Sequence, residues 1–455
     1  MERMMLSDIR RYCGAECDDF ADLPITGICT DSRTPEPGCL FIGLVGERFD
    51  GSDYAADAVR GGAAAVLCRR KVEGLGVSSL VVEDPLAALQ RIAAGYRTKF
   101  QLPVVGVTGS VGKTTTKELI AGAISRKYST LKTEGNFNNE IGLPKMIFRI
   151  GYETEAAVLE MGMSAFGEIE TLSKIARPSV MVITNIGVSH IENLGSRENI
   201  LKAKLEILRG AAPGAPLLIN GDNDLLSGLT SAEGHPILSY GIDNLAADIR
   251  AEEIRQEGAD TLFTVCSGTI RYENFRLPAQ GKHNVLNALA AFGVARLMNV
   301  PVEQIREGIA EYSPVGMRQK WNTFRDATVI EDCYNASPES MHAAFDVIRG
   351  TERKGKTYLV LGDMLELGEY SSRMHYDVGL DAARLAPDGV WLFGKYAPDY
   401  LRGLKEGGSG AGIIAEGKIR AAEQIASLLA PGDILLVKGS RGMKLEELLG
   451  ALYTR

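Results

Sequence analysis

The residues best suited to chemistry run Thr108-Gly109-Ser110-Val111-Gly112-Lys113-Thr114-Thr115-Thr116. Glycines here let the backbone approach oxygen atoms closely, Lys113 follows at once to pair with phosphate charge, and Thr114 offers a hydroxyl to Mg²⁺. An apolar run, Leu102-Pro103-Val104-Val105-Gly106-Val107, precedes the loop, and a helical pattern from Thr115 to Arg126 follows it. A strand that turns into a helix through such a loop aims free N–H groups at it, which suits a polyphosphate. The expected nucleotide contacts are Gly109, Ser110, Val111, Gly112, Lys113, Thr114 and Thr115. The spacing departs from G-x-x-x-x-G-K-[ST] at one place, because Val107 stands where the first glycine belongs.

Two further polar groups end apolar runs. Glu160 closes Ala156-Ala157-Val158-Leu159, and His190 closes the stretch Asn185-Ile186-Gly187-Val188-Ser189-His190 after a second strand. Ligands of open parallel sheets bind at these carboxyl ends. A carboxylate and an imidazole beside a nucleotide can hold one or two Mg²⁺, although each taken singly serves equally well as a cap or a satisfied polar residue. Wound as a helix, Glu198 to Leu208 puts Ile200, Leu201, Leu205 and Leu208 on one face, with Lys204 in its middle and Lys202 and Glu206 opposite. A lysine on an apolar stripe either snorkels to water or serves the interior.

The elements that must position these groups fall into three units. Residues 1–100 show short β-like runs at Ile25 to Cys29, Cys39 to Val45 and Ala63 to Cys68, with a helical pattern from Pro85 to Tyr96, so a small α/β domain is expected. Residues 101–313 alternate buried strands (Ala156 to Leu159, Val180 to Thr184, Leu217 to Asn220) with helices, which predicts a central P-loop domain on a parallel sheet covered on both faces. A linker over Tyr312-Ser313-Pro314-Val315-Gly316 leads into residues 314–455, whose strands Thr328 to Glu331, Tyr358 to Leu361, Val390 to Phe393 and Ile434 to Val437 predict a Rossmann-like domain. Hinges are expected where these units join, near residues 100 and 313.

Composition bounds the function. Over 455 residues the net charge is −8, against the basic stripe that gripping nucleic acid requires. Apolar residues at 45% and charged residues at 24% are ordinary for a soluble enzyme, and neither a signal peptide's apolar core nor a membrane-length apolar run occurs. Seven scattered cysteines form no disulfide framework, and Cys13 and Cys17 lack the neighbours of a zinc site. A cytoplasmic enzyme with no membrane insertion and no nucleic-acid partner is expected, acting as a monomer.

Beyond these derivations, the chain resembles the Mur ligases over essentially its whole length. The phosphate loop is similar to that family's own variant, which accounts for Val107. Further matches are Asn136-Phe137-Asn138-Asn139-Glu140-Ile141-Gly142-Leu143-Pro144, the Asn185 to His190 stretch, Gly281-Lys282-His283-Asn284-Val285-Leu286-Asn287 and Asp332-Cys333-Tyr334-Asn335-Ala336, in the family's order. Leu159-Glu160-Met161-Gly162, Leu361-Gly362-Asp363-Met364-Leu365-Glu366-Leu367-Gly368 and Val437-Lys438-Gly439-Ser440-Arg441 resemble those members that join D-alanyl-D-alanine to UDP-N-acetylmuramoyl-tripeptide. The Asp-Asn-Pro-Arg of the members that add the third amino acid is absent.

The resemblance implies ATP as cofactor with two Mg²⁺, one on Thr114 and Glu160, the other on His190 and a carbamylated Lys204. With Lys113 these make the implied catalytic set. It also implies that Asn284 reads adenine, that Arg318 and Asp332 approach phosphates and ribose, and that Asn138, Asn335 and Ser337 bind substrate. In the first unit, Thr30-Asp31-Ser32-Arg33 and Asp50-Gly51 are similar to the family's UDP-sugar segment, with Ser52 where a histidine is expected. The implied activity is ADP-forming amide ligation through an acyl phosphate, within peptidoglycan precursor synthesis. A related ligase with another amine acceptor and a non-catalytic ATP switch are the alternatives.

Overall fold

Apolar runs that are buried on both faces must be covered on both faces, and three sheets meet that demand here. The computed structural model describes residues 1–17, 20–352 and 354–455. The first sheet is parallel, in the order Gly27–Cys29, Cys39–Ile42, Ala65–Cys68, Ser78–Val81. Helix Pro85–Arg97 packs beside it, started by Asp84, whose carboxylate accepts from the N–H groups of Leu86 and Ala87, and by Pro85 in the first turn.

The central sheet has nine strands. Its order begins Thr130–Lys132, Ala156–Glu160, Val104–Thr108, Val180–Ile183, Leu217–Asn220, Ile237–Gly241, all parallel. Strand Val104–Thr108 therefore lies between the strands that carry Glu160 and lead to Asn185, with Val107 opposite Glu160 and Thr108 opposite Ile183. Beyond the expected parallel strands, Ile249–Glu257 continues the sheet in parallel, and Asp260–Ser267 and Ile270–Leu277 add an antiparallel meander at the far edge. Tight turns at Gly258 and Gly268, both with positive φ, close those hairpins.

The third sheet runs Lys320–Phe324, Ala327–Asp332, Ile434–Lys438, Thr357–Gly362, Gly389–Phe393, Gly412–Ile414, parallel except for its first strand. One cluster of buried apolar side chains runs through all three units, from Leu40 and Leu89 through Leu159 and Leu172 to Met341, Leu361 and Leu436. The opposite sheet faces have their own cores, with Val105 and Val158 in the second unit and Val329 and Leu435 in the third. Among the described residues no helix is long and apolar enough to cross a membrane.

The joint near residue 100 is braced. Buried Arg97 donates from Nη1 to Phe100 O (2.6 Å), from Nη2 to Leu102 O (3.1 Å) and from Nε to Ala176 O (3.0 Å), while the Tyr96 hydroxyl donates to Ile150 O (2.6 Å). These bonds tie the last helix of the first unit to the central unit, so a strap braces the joint where the sequence expects a hinge. Residues 312–319 contain neither helix nor strand. Arg97→Ala strands three carbonyls and is expected to lower stability by about 3 kcal/mol, read from the urea midpoint; an unshifted midpoint would dismiss the strap.

Candidate functional site

The carboxyl ends of the central strands open into a cleft of about 770 Å³ that is closed on its far side by the third unit. Gly109 and Gly112 hold φ of +154° and +85°. A side chain at Gly109 would collide with Thr184 Oγ1, and one at Gly112 would meet Asn287 Oδ1 at 2.8 Å. Gly109→Ala is therefore expected to leave the sheet folded and to weaken ADP binding at least ~10-fold by calorimetry, given ~1–3 kcal/mol of strain at such a position. Helix Lys113–Ile124 begins at once after the loop.

Loop and sheet hold each other. Ser110 N–H donates to Asn185 O (2.9 Å), Gly187 N–H donates to Ser110 Oγ (2.9 Å), and the Thr184 hydroxyl donates to Val111 O (2.5 Å). Lys113 Nζ folds back on its own loop, donating to Gly109 O at 2.8 Å. Burial lowers its proton affinity, Glu160 opposes that, and Arg318 adds to it. Thr115 lines the cleft on the helix's first turn.

Glu160, the last residue of its strand, is buried and oriented from three sides. Thr114 Oγ1 donates to Oε2 at 2.9 Å and Asn138 Nδ2 donates to Oε1 at 2.8 Å, while the Glu160 N–H donates to Thr133 Oγ1 at 2.9 Å. Thr133 O in turn accepts from buried Lys117 Nζ at 2.6 Å. Asn138, expected on the substrate, thus has its amide on the Glu160 carboxylate. His190 lines the cleft with φ +65°, and helix Arg197–Leu205 carries Lys204 inward. Lys204 is 2% exposed, which removes the snorkelling alternative. It is not among the cleft-lining residues; burial first, and the Lys113 charge second, push its proton affinity well down.

The third unit supplies the opposite wall. Arg318 lines the cleft and stacks over Tyr334, its guanidinium 4.3 Å from the ring centre. Asp332 and Lys438 are register partners at the ends of adjacent strands, and Lys438 Nζ donates to Asp332 Oδ2 (2.6 Å) and to Asn335 O (3.3 Å). Asn284 also lines the cleft, with its amide donating to Gln280 O (2.8 Å) and Gln319 Oε1 (2.9 Å). Ser337 caps helix Pro338–Gly350 in a reciprocal box with Ser340, and the side chain of Asn335 accepts from Ala336 N–H. Glu339 Oε1 accepts from Val188 N–H at 2.8 Å, so the third unit touches the strand-end loop beside the phosphate site.

The first-unit segment stands away from the cleft lining. Arg33 grips Asp31 in a two-pronged pair (2.9 and 2.7 Å), which holds the Asp31 carboxyl well below its usual range, and Asp31 also feels Lys145 of the central unit. Ser32 lies between them. Ser52 N–H donates to Asp50 Oδ1 (2.8 Å), and the buried Ser52 hydroxyl has no hydrogen-bond partner.

Lys117, Thr133, Asn287, Lys438, Glu339 and Glu366 were given no role by the sequence reasoning. Lys438 had a legible signal, a charged residue ending an apolar strand, the same that marked Glu160. Lys117 and Thr133 had none, since only the fold brings them together.

A phosphate loop at the head of a parallel sheet, a carboxylate on its threonine, and a second open sheet facing both define a nucleotide-using α/β enzyme of three units. Residues 24–97 match the description "Mur ligase family, catalytic domain", residues 107–295 "Mur ligase middle domain" and residues 317–441 "Mur ligase, glutamate ligase domain". A UDP-N-acetylmuramoyl-tripeptide--D-alanyl-D-alanine ligase of Bacillus subtilis is 40% identical over 93% of this chain and 92% of its own. Crystal structure I of MurF from Acinetobacter baumannii superposes with a TM-score of 0.93 at 32% identity, each chain covered fully (100%). The MurF ligase of Thermotoga maritima in complex with ADP gives 0.84 at 29% identity, over 94% of this chain and 97% of the other. The chain belongs to the Mur ligase family.

Proposed function

We propose that this ligase uses ATP to join D-alanyl-D-alanine to UDP-N-acetylmuramoyl-tripeptide, releasing ADP and phosphate, in the assembly of peptidoglycan precursors. The carrying observation is the Thr114–Glu160 contact beside Lys113 at the head of the phosphate loop, in a cleft that the third unit closes. The family and the relatives' shared activity supply the substrates.

In the proposed reaction the tripeptide's terminal carboxylate attacks the γ-phosphorus of ATP, and the bond to the β–γ bridging oxygen breaks to leave ADP. The dipeptide amine then attacks the acyl phosphate carbonyl, and the tetrahedral intermediate expels phosphate to give the amide. Lys113 swings from its loop carbonyl onto the transferring phosphoryl group, whose negative charge it balances. Gly109 to Thr115 cradle the phosphates, Asn284 and Asp332 take adenine and ribose, and Arg318 faces the phosphates. Asn138, Asn335 and Ser337 border the reacting groups, and Asp31, Ser32 and Arg33 hold the UDP end.

The residues fit a metal. No group of three or more His, Cys, Asp or Glu side chains is gathered among the described residues, as suits Mg²⁺, which takes one or two protein ligands and fills the rest with phosphate and water. Thr114 and Glu160 would hold one ion, and His190 with a carbamylated Lys204 a second. Asn185 Oδ1 and Ser189 Oγ, on the same strand-end stretch as His190, are buried without hydrogen-bond partners among the described residues and would add oxygen donors beside such an ion. Burial, with the Lys113 charge after it, pushes the proton affinity of Lys204 well down and so favours the neutral amine, the form that adds carbon dioxide. Such ions neutralise charge on the phosphoryl oxygens.

All of these groups come from one chain, which supports a monomer, and the use of ATP supports work in the cytoplasm. The test is product analysis: ADP and phosphate should appear only when both the nucleotide-tripeptide and the dipeptide are present, with the ligated product in the mass spectrum. ATP hydrolysis indifferent to both would leave a nucleotide switch instead.

A further inference from the structure

Glu366 has no part in the reaction above and does not line the cleft. It leaves strand Thr357–Gly362 of the third unit and enters the loop before the turn Gly368–Tyr370. Its Oε2 nevertheless lies 2.6 Å from His190 Nδ1, on the central unit. The contact is an ion-pair approach out of line with a ring N–H bond, and Nδ1 has no aligned hydrogen bond elsewhere.

Both backbones are unusual. His190 and Glu366 each hold φ +65°, a left-handed conformation that costs a residue other than glycine free energy and persists where surroundings impose it. Two such residues, from two different units, are turned towards each other. The loop around Glu366 is seated along helix Ile191–Leu194: Glu192 N–H donates to Glu366 O (3.4 Å), the Tyr370 hydroxyl donates to Gly195 O (3.4 Å), and a side chain at Gly368 would press on Glu192 Cβ at 3.1 Å. The Glu366 charge also reaches Lys113 at the phosphate loop.

We propose that Glu366 is a positioning residue that holds the His190 ring by Nδ1 and leaves Nε2 for the cation, so that the second metal site is completed only when the third unit is seated on the central one. This rests on the metal role of His190 given above. Carboxylates that orient a metal-binding imidazole change metal affinity by about 10–100-fold when removed. Docking of the third unit and assembly of the cation site would thereby become one event.

The test titrates Mn²⁺ into the full-length protein with saturating ADP and counts free Mn²⁺ by electron paramagnetic resonance, so no ligation is required. Glu366→Ala should weaken the second Mn²⁺ about 10-fold or more. Glu366→Gln, which keeps an acceptor oxygen, should lose less, and Tyr370→Phe, which removes a different contact of the same interface, should match the parent. ADP affinity without metal should be unchanged in all three. Unaltered Mn²⁺ affinity in Glu366→Ala, equal losses in Glu366→Ala and Tyr370→Phe, or a parent that binds a single Mn²⁺ would each overturn the proposal. A parent that binds two Mn²⁺ yet fails to ligate would instead reject the assigned substrates, so the two failures are distinguishable.

Discussion

Lys113→Ala is expected to remain folded and to ligate at least ~10³-fold more slowly, the loss that follows when a contact worth a few kcal/mol in the transition state is removed. Among the described residues the lysine reaches no side-chain hydrogen-bond partner; its hydrogen bonds run to the carbonyls of Gly109 and Ser110. Losing it therefore breaks little that the fold needs. Rapid-quench measurement of ADP formation should place the defect at the phosphoryl transfer step, with circular dichroism and melting close to the parent. Turnover within a few-fold of the parent would remove Lys113 from the mechanism.

Lys204→Met is expected to separate stability from activity in opposite directions. Burying an amine costs folding free energy, and a methionine of similar length suits the same apolar surroundings beside Ile200 and Ala203. In metal-free, bicarbonate-free buffer the variant should be more stable by about 1 kcal/mol or more, while ligation falls by at least ~10² if the carbamate is a metal ligand. The pH dependence follows from the lowered proton affinity of the folded-state amine. Between its folded and unfolded pKa the unfolded chain binds more protons, so parent stability rises with pH. The advantage of methionine is thus largest at low pH and shrinks towards the ordinary lysine pKa. Equal melting at all pH values, or full activity, would refute the interior role.

The fold was legible where one local rule decides. Val104–Thr108 and Ala156–Glu160 are apolar runs ended by polar residues, and the family's motif order fixed what followed them. The meander Ile249–Leu277 was missed because its charged, alternating strands lie at an edge, where burial leaves a weak imprint. Within the site, Lys204 was visible as a conflict between charge and periodicity. The family resemblance put Asn138 on the substrate, but its amide on Glu160 depends on how its loop meets the strand end. The His190–Glu366 contact joins residues far apart in sequence through two strained backbones, and no window along the chain contains both.

The Arg97 strap bears on how the reaction is organised in time. By tying the first unit to the central one, it holds the Asp31 to Arg33 segment at a set distance from the phosphate loop in this structure, so that a substrate spanning the two would be gripped before the third unit moves. Residues 312–319, with neither helix nor strand, are the stretch that would absorb such a movement.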